Sequence, residues 1–460
     1  MATQVIASIQ FLRQQAASLL LYQAVLETKV GQAFLDLLQA IHDSNDAEDT
    51  RCLKAYGHWF QVLVNSKQNW QDALMTEILQ ADNLFTRAVQ QTTLSQLPVA
   101  LVKAAQHDLQ ILQNLYDCGD HQLSRWIQDT AQLSAAPIVW NPALPTVAKG
   151  PIIPLQQATS TKFLQQVEDW ANAIDDLAVY YRQQGTGLFA KYRALRWRQG
   201  HLEGIPHPDP ICLQALAGYE YPRTTLLKNT AALLAGYPAL HVLLYGSRGS
   251  GKSSLVKALL NEYADQGLRL IEVAKQDLKD LSAIADQLRH LPQKFIIFVD
   301  DLSFEEDEDT YKALKVVLEG NVTVRPQNVV VYATSNRRHL IREFFGDRPH
   351  PADSDEVHAW DTVQEKLSFS DRFGLTLTFE PADQNTYLAI VHHLATEAKI
   401  TLEPAELESR ALQWATRHNG RSGRTARQFI DFLQADLAIS GSPEPSAINR
   451  GNCSDFGVGK

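Results

Sequence analysis

Residues 241–260 read HVLLYGSRGSGKSSLVKALL, and this stretch decides the fold. The apolar run HVLLY predicts a β-strand, SSLVKALL predicts an α-helix, and the loop GSRGSGKS between them satisfies the pattern GxxxxGK(S/T). Glycines let successive backbone N–H groups point at one anion, and the helix that follows adds the positive end of its dipole. The stretch therefore predicts a phosphate-binding loop. A glycine-rich turn without a ligand is the alternative.

The residues of this loop are the predicted nucleotide contacts. Lys252 supplies a mobile charge for the β- and γ-phosphates, and the Ser253 hydroxyl is a predicted Mg²⁺ ligand. ATP and Mg²⁺ are therefore the expected ligands. The predicted nucleotide-binding residues are Gly246, Ser247, Arg248, Gly249, Ser250, Gly251, Lys252, Ser253 and Ser254.

A second apolar run, FIIFV at 295–299, ends in two aspartates. A buried strand that delivers a carboxylate to the carboxyl edge of a parallel sheet would place Asp300 beside the phosphate loop, where it can hold the Mg²⁺ shell. Asp301 is then suited to orient and activate the attacking water. The alternative for the pair is a helix cap.

Strand-like and helical stretches alternate on both sides of the loop. The runs LRLIEV, KFIIFVDD and NVVVYATSN are rich in Val, Ile, Leu and Phe, and helical stretches such as YKALKVVLEG separate them. This alternation predicts an α/β core with a three-layer arrangement, in which helices cover both faces of a parallel sheet. We expect this core over 205–380 and a small all-α lid over 381–440.

The rest of the chain has a different composition. Residues 1–133 are rich in Leu, Ala and Gln and predict an all-α N-terminal bundle. Five prolines within twenty residues predict an extended linker over 134–160. We expect a helix and a basic, aromatic connector over 161–204. The Gly-, Ser- and Pro-rich residues 441–460 predict a disordered tail.

Charge and cysteine content exclude some classes of protein. The 460 residues include 42 Lys or Arg and 52 Asp or Glu, for a net charge of −10, which excludes a uniformly basic nucleic-acid coat but not a local basic groove. The four cysteines are scattered without a CxxC pair, so neither a disulfide framework nor a zinc module is expected. No apolar run is long enough to span a membrane. A reducing, cytoplasmic setting fits this composition.

One basic, aromatic stretch qualifies the acidic balance. Residues 191–201 read KYRALRWRQGH, and Tyr192 and Trp197 among these cations could stack bases and contact phosphates. The alternative is that the stretch packs on the α/β core and forms ion pairs with acidic neighbours. Nucleic acid therefore stays a second hypothesis for the partner.

Three further polar residues follow predicted strands or begin a predicted helix. Asn336 ends the run NVVVYATS, where its amide can hold the attacking water. Arg372 precedes the strand LTLTF, from which it could reach the nucleotide of a neighbouring subunit. In RSGRTAR, Ser422 is the expected N-cap and Arg424 faces back to the cleft from the first turn. Each arginine has the alternative of a surface ion pair.

The order of these motifs resembles that of the AAA+ ATPases, which have a P-loop core followed by a helical lid. More narrowly, VDDLSFEEDEDTYKALKVVLEG, YATSNRRHLIRE and ALAGYEYPRTTLLKNTAALLAG resemble a bacterial AAA+ group known as DUF815, over roughly 186–440. The resemblance implies Walker A, Walker B, sensor 1, arginine-finger and sensor 2 roles. These fall on Lys252 with Ser253, Asp300 with Asp301, Asn336, Arg372 and Arg424, with Arg427 as the rival for sensor 2.

The second aspartate departs from the common Asp-Glu ending of Walker B. Because aspartate is one methylene shorter, and because helicase loaders share this ending, we expect a slow Mg²⁺-dependent ATPase. Its nucleotide state would control assembly or remodelling of an unknown protein partner, with a homo-oligomer formed through the core and the partner held by the N-terminal helices. The alternatives are a helicase-loader-like ATPase associated with nucleic acid, and a nucleotide-gated scaffold without useful turnover.

Overall fold

The computed structural model describes residues 2–44, 50–142, 162–303, 314–318, 325–336, 372–418 and 420–440. The predicted tail over 441–460 and most of the predicted linker lie outside these residues. The acidic run at 305–309 and Cys453 lie outside them as well.

The described residues form a seven-stranded sheet with the order β2-β1-β4-β5-β6-β3-β7. β1 and β2 pair in antiparallel, and every other neighbouring pair is parallel. The strands are β1 (Ala194–Arg198), β2 (His201–Gly204), β3 (Val242–Gly246), β4 (Leu268–Glu272), β5 (Lys294–Val299), β6 (Val329–Ser335) and β7 (Leu375–Phe379).

Helices cover both faces of this sheet. The crossover helices are α11 (Glu220–Leu234), α12 (Lys252–Tyr263) and α13 (Leu281–Leu288), and 314–318 is also helical. Alternate residues of a strand point to opposite faces. On β3, Leu244 therefore packs with α11 and α12, whereas Leu243 packs with α13. This burial on both faces explains the nearly continuous apolar strands.

The residues before the sheet are mostly helical. Their aromatic core holds Phe34, Trp59 and Trp70, and the Phe34 and Trp70 rings stack with centroids 4.0 Å apart. The helices are α1 (Ala2–Ala17), α2 (Lys29–His42), α3 (Arg51–Ser66), α4 (Trp70–Leu79), α5 (Leu84–Gln91), α6 (Val99–Asp117), α7 (Asp120–Thr130), α8 (Lys162–Gln165), α9 (Ile174–Gln184) and α10 (Gly187–Lys191).

A buried arginine joins these helices to the sheet. Arg269 on β4 donates to the carbonyl oxygens of Gln184 and Phe189, at 2.5 and 2.7 Å, and also to those of Ala264 and Leu268. Burial lowers the pKa of this guanidinium to about 10. The four carbonyls replace the water that the charge loses on burial. Because Gln184 ends α9 and Phe189 lies in α10, these hydrogen bonds fix the N-terminal helices to β4.

Three helices follow the sheet and pack around a small apolar core that includes Tyr387, Val391, Ala411 and Ile430. The Asp383 side chain caps the first of them by accepting the N–H of Thr386 over 2.7 Å. They are α14 (Gln384–Glu397), α15 (Pro404–Arg417) and α16 (Gly423–Ser440). The predicted fold class is therefore confirmed: an α/β core with a small all-α lid after it and an all-α region before it.

The sheet begins earlier than the sequence predicted. The connector expected over 161–204 contains β1 and β2, so the α/β core starts before residue 205. The reason is that β1 alternates buried Leu195 and Trp197 with exposed arginines, so its sequence lacks the continuous apolar run by which the other strands were predicted. It pairs with the short edge strand β2.

Three side chains of the basic, aromatic stretch 191–201 contact acidic residues of the α/β core. The Trp197 indole donates to Asp280 over 2.9 Å, and Arg196 pairs with Glu272 at 2.7 Å. Arg193 pairs with Asp265 at 2.6 Å. These contacts agree with the alternative in which residues 191–201 pack on the α/β core and form ion pairs with acidic neighbours. No helix within the described ranges is both long and apolar enough to cross a membrane.

Candidate functional site

The loop between β3 and α12 lies at the carboxyl edge of the sheet. Gly246 has φ of 144°, and a Cβ there would collide with the carbonyl of Phe379 at the end of β7. Gly249 has φ of 76°, and a Cβ there would lie 2.9 Å from the Ser422 hydroxyl in the lid. Only glycine therefore fits between the sheet below the loop and the lid above it.

Lys252 begins α12 and is turned into the loop. Its Nζ donates to the carbonyl oxygens of Gly246 and Ser247, at 3.0 and 2.8 Å, and its side chain is buried. Burial lowers its pKa, Arg424 lowers it further, and the attraction of Asp300 and Asp301 opposes this shift. The ammonium is thus held by oxygens that an anion in the loop can replace.

Asp300 follows β5 and accepts two hydroxyl hydrogen bonds. Its Oδ1 lies 2.6 Å from the Ser253 Oγ of α12 and 2.5 Å from the Thr334 Oγ1 of β6. The structure therefore brings together the two predicted metal ligands, Ser253 and Asp300. Their oxygens are of the type that Mg²⁺ prefers.

Asp301 has a constrained backbone. Its φ is 52°, in the left-handed region that few residues other than glycine adopt, and its N–H donates to Thr334 Oγ1 over 3.0 Å. Its carboxylate accepts a 2.6 Å hydrogen bond from the Asn336 amide. The carbonyl oxygen of the same amide lies 3.4 Å from the Lys252 Nζ. One hydrogen-bonded chain therefore links Lys252, Asn336 and Asp301.

The lid contacts the loop through the start of α16. The Arg424 N–H donates to the Gly249 carbonyl over 3.1 Å, and the Ser422 hydroxyl accepts the N–H of Thr425 as an N-cap. The side chains of Arg424 and Arg427 are exposed, and both line the cavity between lid and sheet. The lid thus closes one side of the site with two cations.

This cavity has a volume of about 600 Å³. Its polar lining includes Arg248, Gly249, Ser250, Gly251, Lys252, Ser253, Ser254, Asp300, Asp301, Asn336, Arg424 and Arg427. Gly246 and Ser247 contribute the carbonyls that hold Lys252. The predicted loop and acid-strand residues are therefore gathered at one place.

Arg372 is separate from this group. It is half-buried just before β7 and is not among the described residues that line the cavity. The described structure therefore does not place Arg372 in the cavity of its own chain.

Sequence reasoning missed two parts of the site. Thr334 contacts both acidic residues, and the only hint was its place in the run that ends with Asn336. An apolar wall comes from Ile211 and Leu216 before α11 and from Ile390 and Leu394 on α14. Nothing in the sequence indicated that these residues, far apart in the chain, share one cavity.

The donor set fits Mg²⁺ held jointly with a ligand. Within the described ranges, no group of three or more His, Cys, Asp or Glu side chains could bind a metal ion by itself. Mg²⁺ in phosphate-transfer sites is held through one or two protein oxygens, with phosphates and water completing its shell. Ser253 and Asp300 supply such oxygens.

Fold and site together define the class of the protein: it is a P-loop α/β protein, with a mostly parallel sheet, a glycine loop before α12 and an all-α lid. The chain belongs to the DUF815 family, described as a protein of unknown function, which matches residues 190–437. No curated protein matches it.

Among solved structures, the chain is similar to the Thermotoga maritima RuvB Holliday junction branch migration motor. The two share 17% identity with a TM-score of 0.35, over 50% of this chain and 66% of that one. Two point mutants of the same RuvB show 18% identity each, with TM-scores of 0.35 and 0.36, over 50% of this chain. The chain thus spans just under two thirds of the first RuvB chain, and a likeness at this level does not extend to activity or partners.

Proposed function

We propose that the chain is a slow, Mg²⁺-dependent ATP hydrolase whose nucleotide state controls the assembly or remodelling of a protein partner. One observation carries this proposal: the chain of contacts from Lys252 through Asn336 to Asp301 lies in the same cavity as the Ser253–Asp300 pair. A structural role alone does not account for so many polar groups around an open cavity.

The cavity offers separate surfaces to the two ends of ATP. Ile211, Leu216, Ile390 and Leu394 form an apolar wall suited to a flat base. In the same cavity, the loop N–H groups and the α12 N-terminus favour phosphate. On phosphate binding, Lys252 exchanges its contacts with loop carbonyls for phosphate oxygens, which are stronger acceptors because they are charged.

The acidic edge supplies the hydrolytic groups. Asp301 takes the proton of the attacking water, and Asn336 orients that carboxylate through its 2.6 Å hydrogen bond. Ser253 and Asp300 would hold Mg²⁺, which would supply positive charge against the charge that develops on the phosphates. Arg424 adds positive charge from the lid side.

Slow turnover follows from the position of Asp301. Its side chain is one methylene shorter than glutamate, and contacts with Thr334 and Asn336 fix its backbone and its carboxylate. With the backbone held at this position, the shorter side chain reaches less far toward a water on the phosphate than a glutamate would. A general base with this shorter reach is expected to contribute near the lower end of the usual factor of about 10²–10⁴ to the rate.

Two features support the assembly part of the proposal. Arg372 does not line the nucleotide cavity of its own chain, which suits a role at the site of a neighbouring subunit. The N-terminal helices lie outside the family match and carry a cavity of their own, which suits the binding of a partner. The helicase-loader alternative is weaker, because Trp197 and Arg196 are bound to acidic neighbours of the core.

The test compares Mg·ATP affinity and phosphate release in wild type and Lys252→Ala. We expect wild type to bind ATP and to release phosphate slowly, and Lys252→Ala to lose ATP affinity by at least about tenfold. Lys257→Ala is the matched control, because Lys257 is on the same helix but does not line the cavity. Equal ATP affinity in wild type and Lys252→Ala would refute the site. Tight ATP binding by wild type without phosphate release would instead favour the scaffold alternative.

A further inference from the structure

A second cavity, of about 730 Å³, lies among the N-terminal helices and shares no lining residue with the nucleotide cavity. The turn between α6 and α7 forms one side, and the segment that follows α7 forms another. The side chains that matter for its chemistry are Asp117, Asp120, Arg125, Trp126, Asp129 and Trp140.

Asp120 is the buried acid of this cavity. It is only 7% exposed, and its Oδ1 has no hydrogen-bond partner in the described structure. Its Oδ2 receives one long hydrogen bond, 3.5 Å, from the Trp70 N–H. Burial raises the pKa of this carboxyl to about 6. A buried carboxylate left with an unused oxygen is costly to the fold, which favours a ligand that donates to it.

Two indoles line the same cavity. The Trp140 ring packs edge-on against Phe60, and its buried Nε1–H has no acceptor in the described structure. Trp126 is almost fully buried. The cavity thus combines aromatic surface with one unused acceptor and one unused donor, so a ligand that satisfies both must carry groups of both kinds.

The charges around the cavity favour a cation. The exposed carboxylates of Asp117 and Asp129 add to Asp120, whereas Arg125 is the fixed positive charge of the lining and His121 is the other titratable group. Acid is therefore in excess. Aromatic faces bind ammonium and guanidinium groups, and the aliphatic stem of Lys or Arg packs well on such surfaces.

We propose that this cavity binds a lysine or arginine side chain on an extended segment of a partner protein. The cationic head donates to Asp120 Oδ1, the stem lies on Trp140, and a backbone carbonyl of the segment accepts the Trp140 indole N–H. Both of these atoms are covered in the described structure, so binding includes a turn of the Asp120 and Trp140 side chains toward the cavity. This inference rests on the proposed function only in assigning the partner to the N-terminal helices. It does not require ATP hydrolysis.

The test uses the full chain with ¹⁵N-labelled tryptophan, whose Trp140 indole signal is assigned from a Trp140→Phe variant. The probes are acetylated, amidated Gly-Arg-Gly and Gly-Lys-Gly, with Gly-Glu-Gly as the anionic control and n-butylamine as a free amine. We expect the two cationic peptides to shift the Trp140 signal saturably and the anionic peptide to leave it unchanged. Asp120→Asn should weaken this binding at least tenfold without lowering Tm.

Asp36→Asn is the matched control, since Asp36 is an exposed α2 residue outside the cavity, and it should bind the peptides like wild type. Lys252→Ala should also retain peptide binding, so a failure of the nucleotide proposal is separable from a failure here. No shift with either cationic peptide, or equal binding by Asp120→Asn, would overturn the inference. Binding of n-butylamine as tight as that of the peptides would overturn the assignment to a protein segment.

Discussion

The Thr334 hydroxyl donates to Asp300 over 2.5 Å and accepts the N–H of Asp301 over 3.0 Å. One side chain on β6 therefore fixes both acidic residues that follow β5. The left-handed backbone of Asp301 depends on this contact, because the turn would otherwise have an unsatisfied N–H.

Thr334→Val removes the hydroxyl at nearly constant volume. We expect a loss of about 1–3 kcal/mol in the free energy of unfolding, because two polar partners in the turn lose their hydrogen bonds. We also expect slower phosphate release, since Asp301 is no longer fixed. Urea denaturation and a phosphate-release assay measure the two effects. Thr376→Val, at an exposed position on β7, is the control and should change neither. Wild-type turnover in Thr334→Val would show that Thr334 does not position the acids.

Arg424 and Arg427 both line the cavity, and two observations favour Arg424 as the residue that acts on the phosphate loop. Arg424 donates through its backbone to Gly249 and lowers the pKa of Lys252. We therefore expect Arg424→Ala to weaken ATP binding about tenfold or more, through loss of a charge-assisted contact, and Arg427→Ala to weaken it less. Titration with a fluorescent ATP analogue measures both. The reverse order of the two effects would assign the lid sensor to Arg427.

Arg372 is expected to act on a neighbouring subunit. Arg372→Ala keeps its own nucleotide site, whereas Lys252→Ala loses that site but still supplies Arg372. We expect each variant alone to be nearly inactive and an equimolar mixture to recover part of the wild-type phosphate release, because mixed oligomers contain complete sites. A mixture no more active than the sum of its components would contradict this role.

His241 makes the stability of the α/β core depend on pH. It lies just before β3, accepts the N–H of Val331 over 2.9 Å, and has a pKa that burial, assisted by Arg325, lowers to about 3. In the unfolded chain His241 is protonated near pH 6.5, whereas in the folded chain it stays neutral down to about pH 3. Stability is therefore complete above about pH 6.5 and falls by about 1.4 kcal/mol per pH unit as the pH drops toward 3.

Urea denaturation between pH 4.5 and 7.5 measures this slope. The pKa of Asp120, raised to about 6, produces an opposite slope between about pH 4 and 6. Since that contribution is common to both proteins, the difference between wild type and His241→Gln isolates His241. We expect the difference to shrink as the pH falls. His58→Gln, at an exposed helical position, should keep the wild-type slope. A constant difference across the range would rule out this explanation.

The sequence predicted those parts of the fold that depend on local pattern. β3, β5 and β6 are buried on both faces and stand out as apolar runs, and the glycine loop has a spacing that few other structures require. β1 was missed because Arg196 and Arg198 occupy its exposed face. A strand with one charged face carries a weaker apolar pattern than a strand that is buried on both faces.

From the sequence, the position of a site residue was predictable only where that residue directly follows a predicted strand. Asp300 and Asn336 come at strand ends, so the parallel order of the sheet places them at one edge. The apolar wall joins Ile211 to Ile390, and the Thr334 contacts cross from β6 to the turn after β5. These are tertiary contacts between distant parts of the chain, which no local spacing encodes.

The central claim is that Asp301 acts as the base of an ATP-hydrolysing site. The most direct measurement is phosphate release at saturating Mg·ATP by wild type and Asp301→Asn, with ATP affinity measured on the same preparations. We predict that Asp301→Asn binds ATP within about threefold of wild type and releases phosphate at least about 100-fold more slowly. Phosphate release at the wild-type rate by Asp301→Asn would contradict the account.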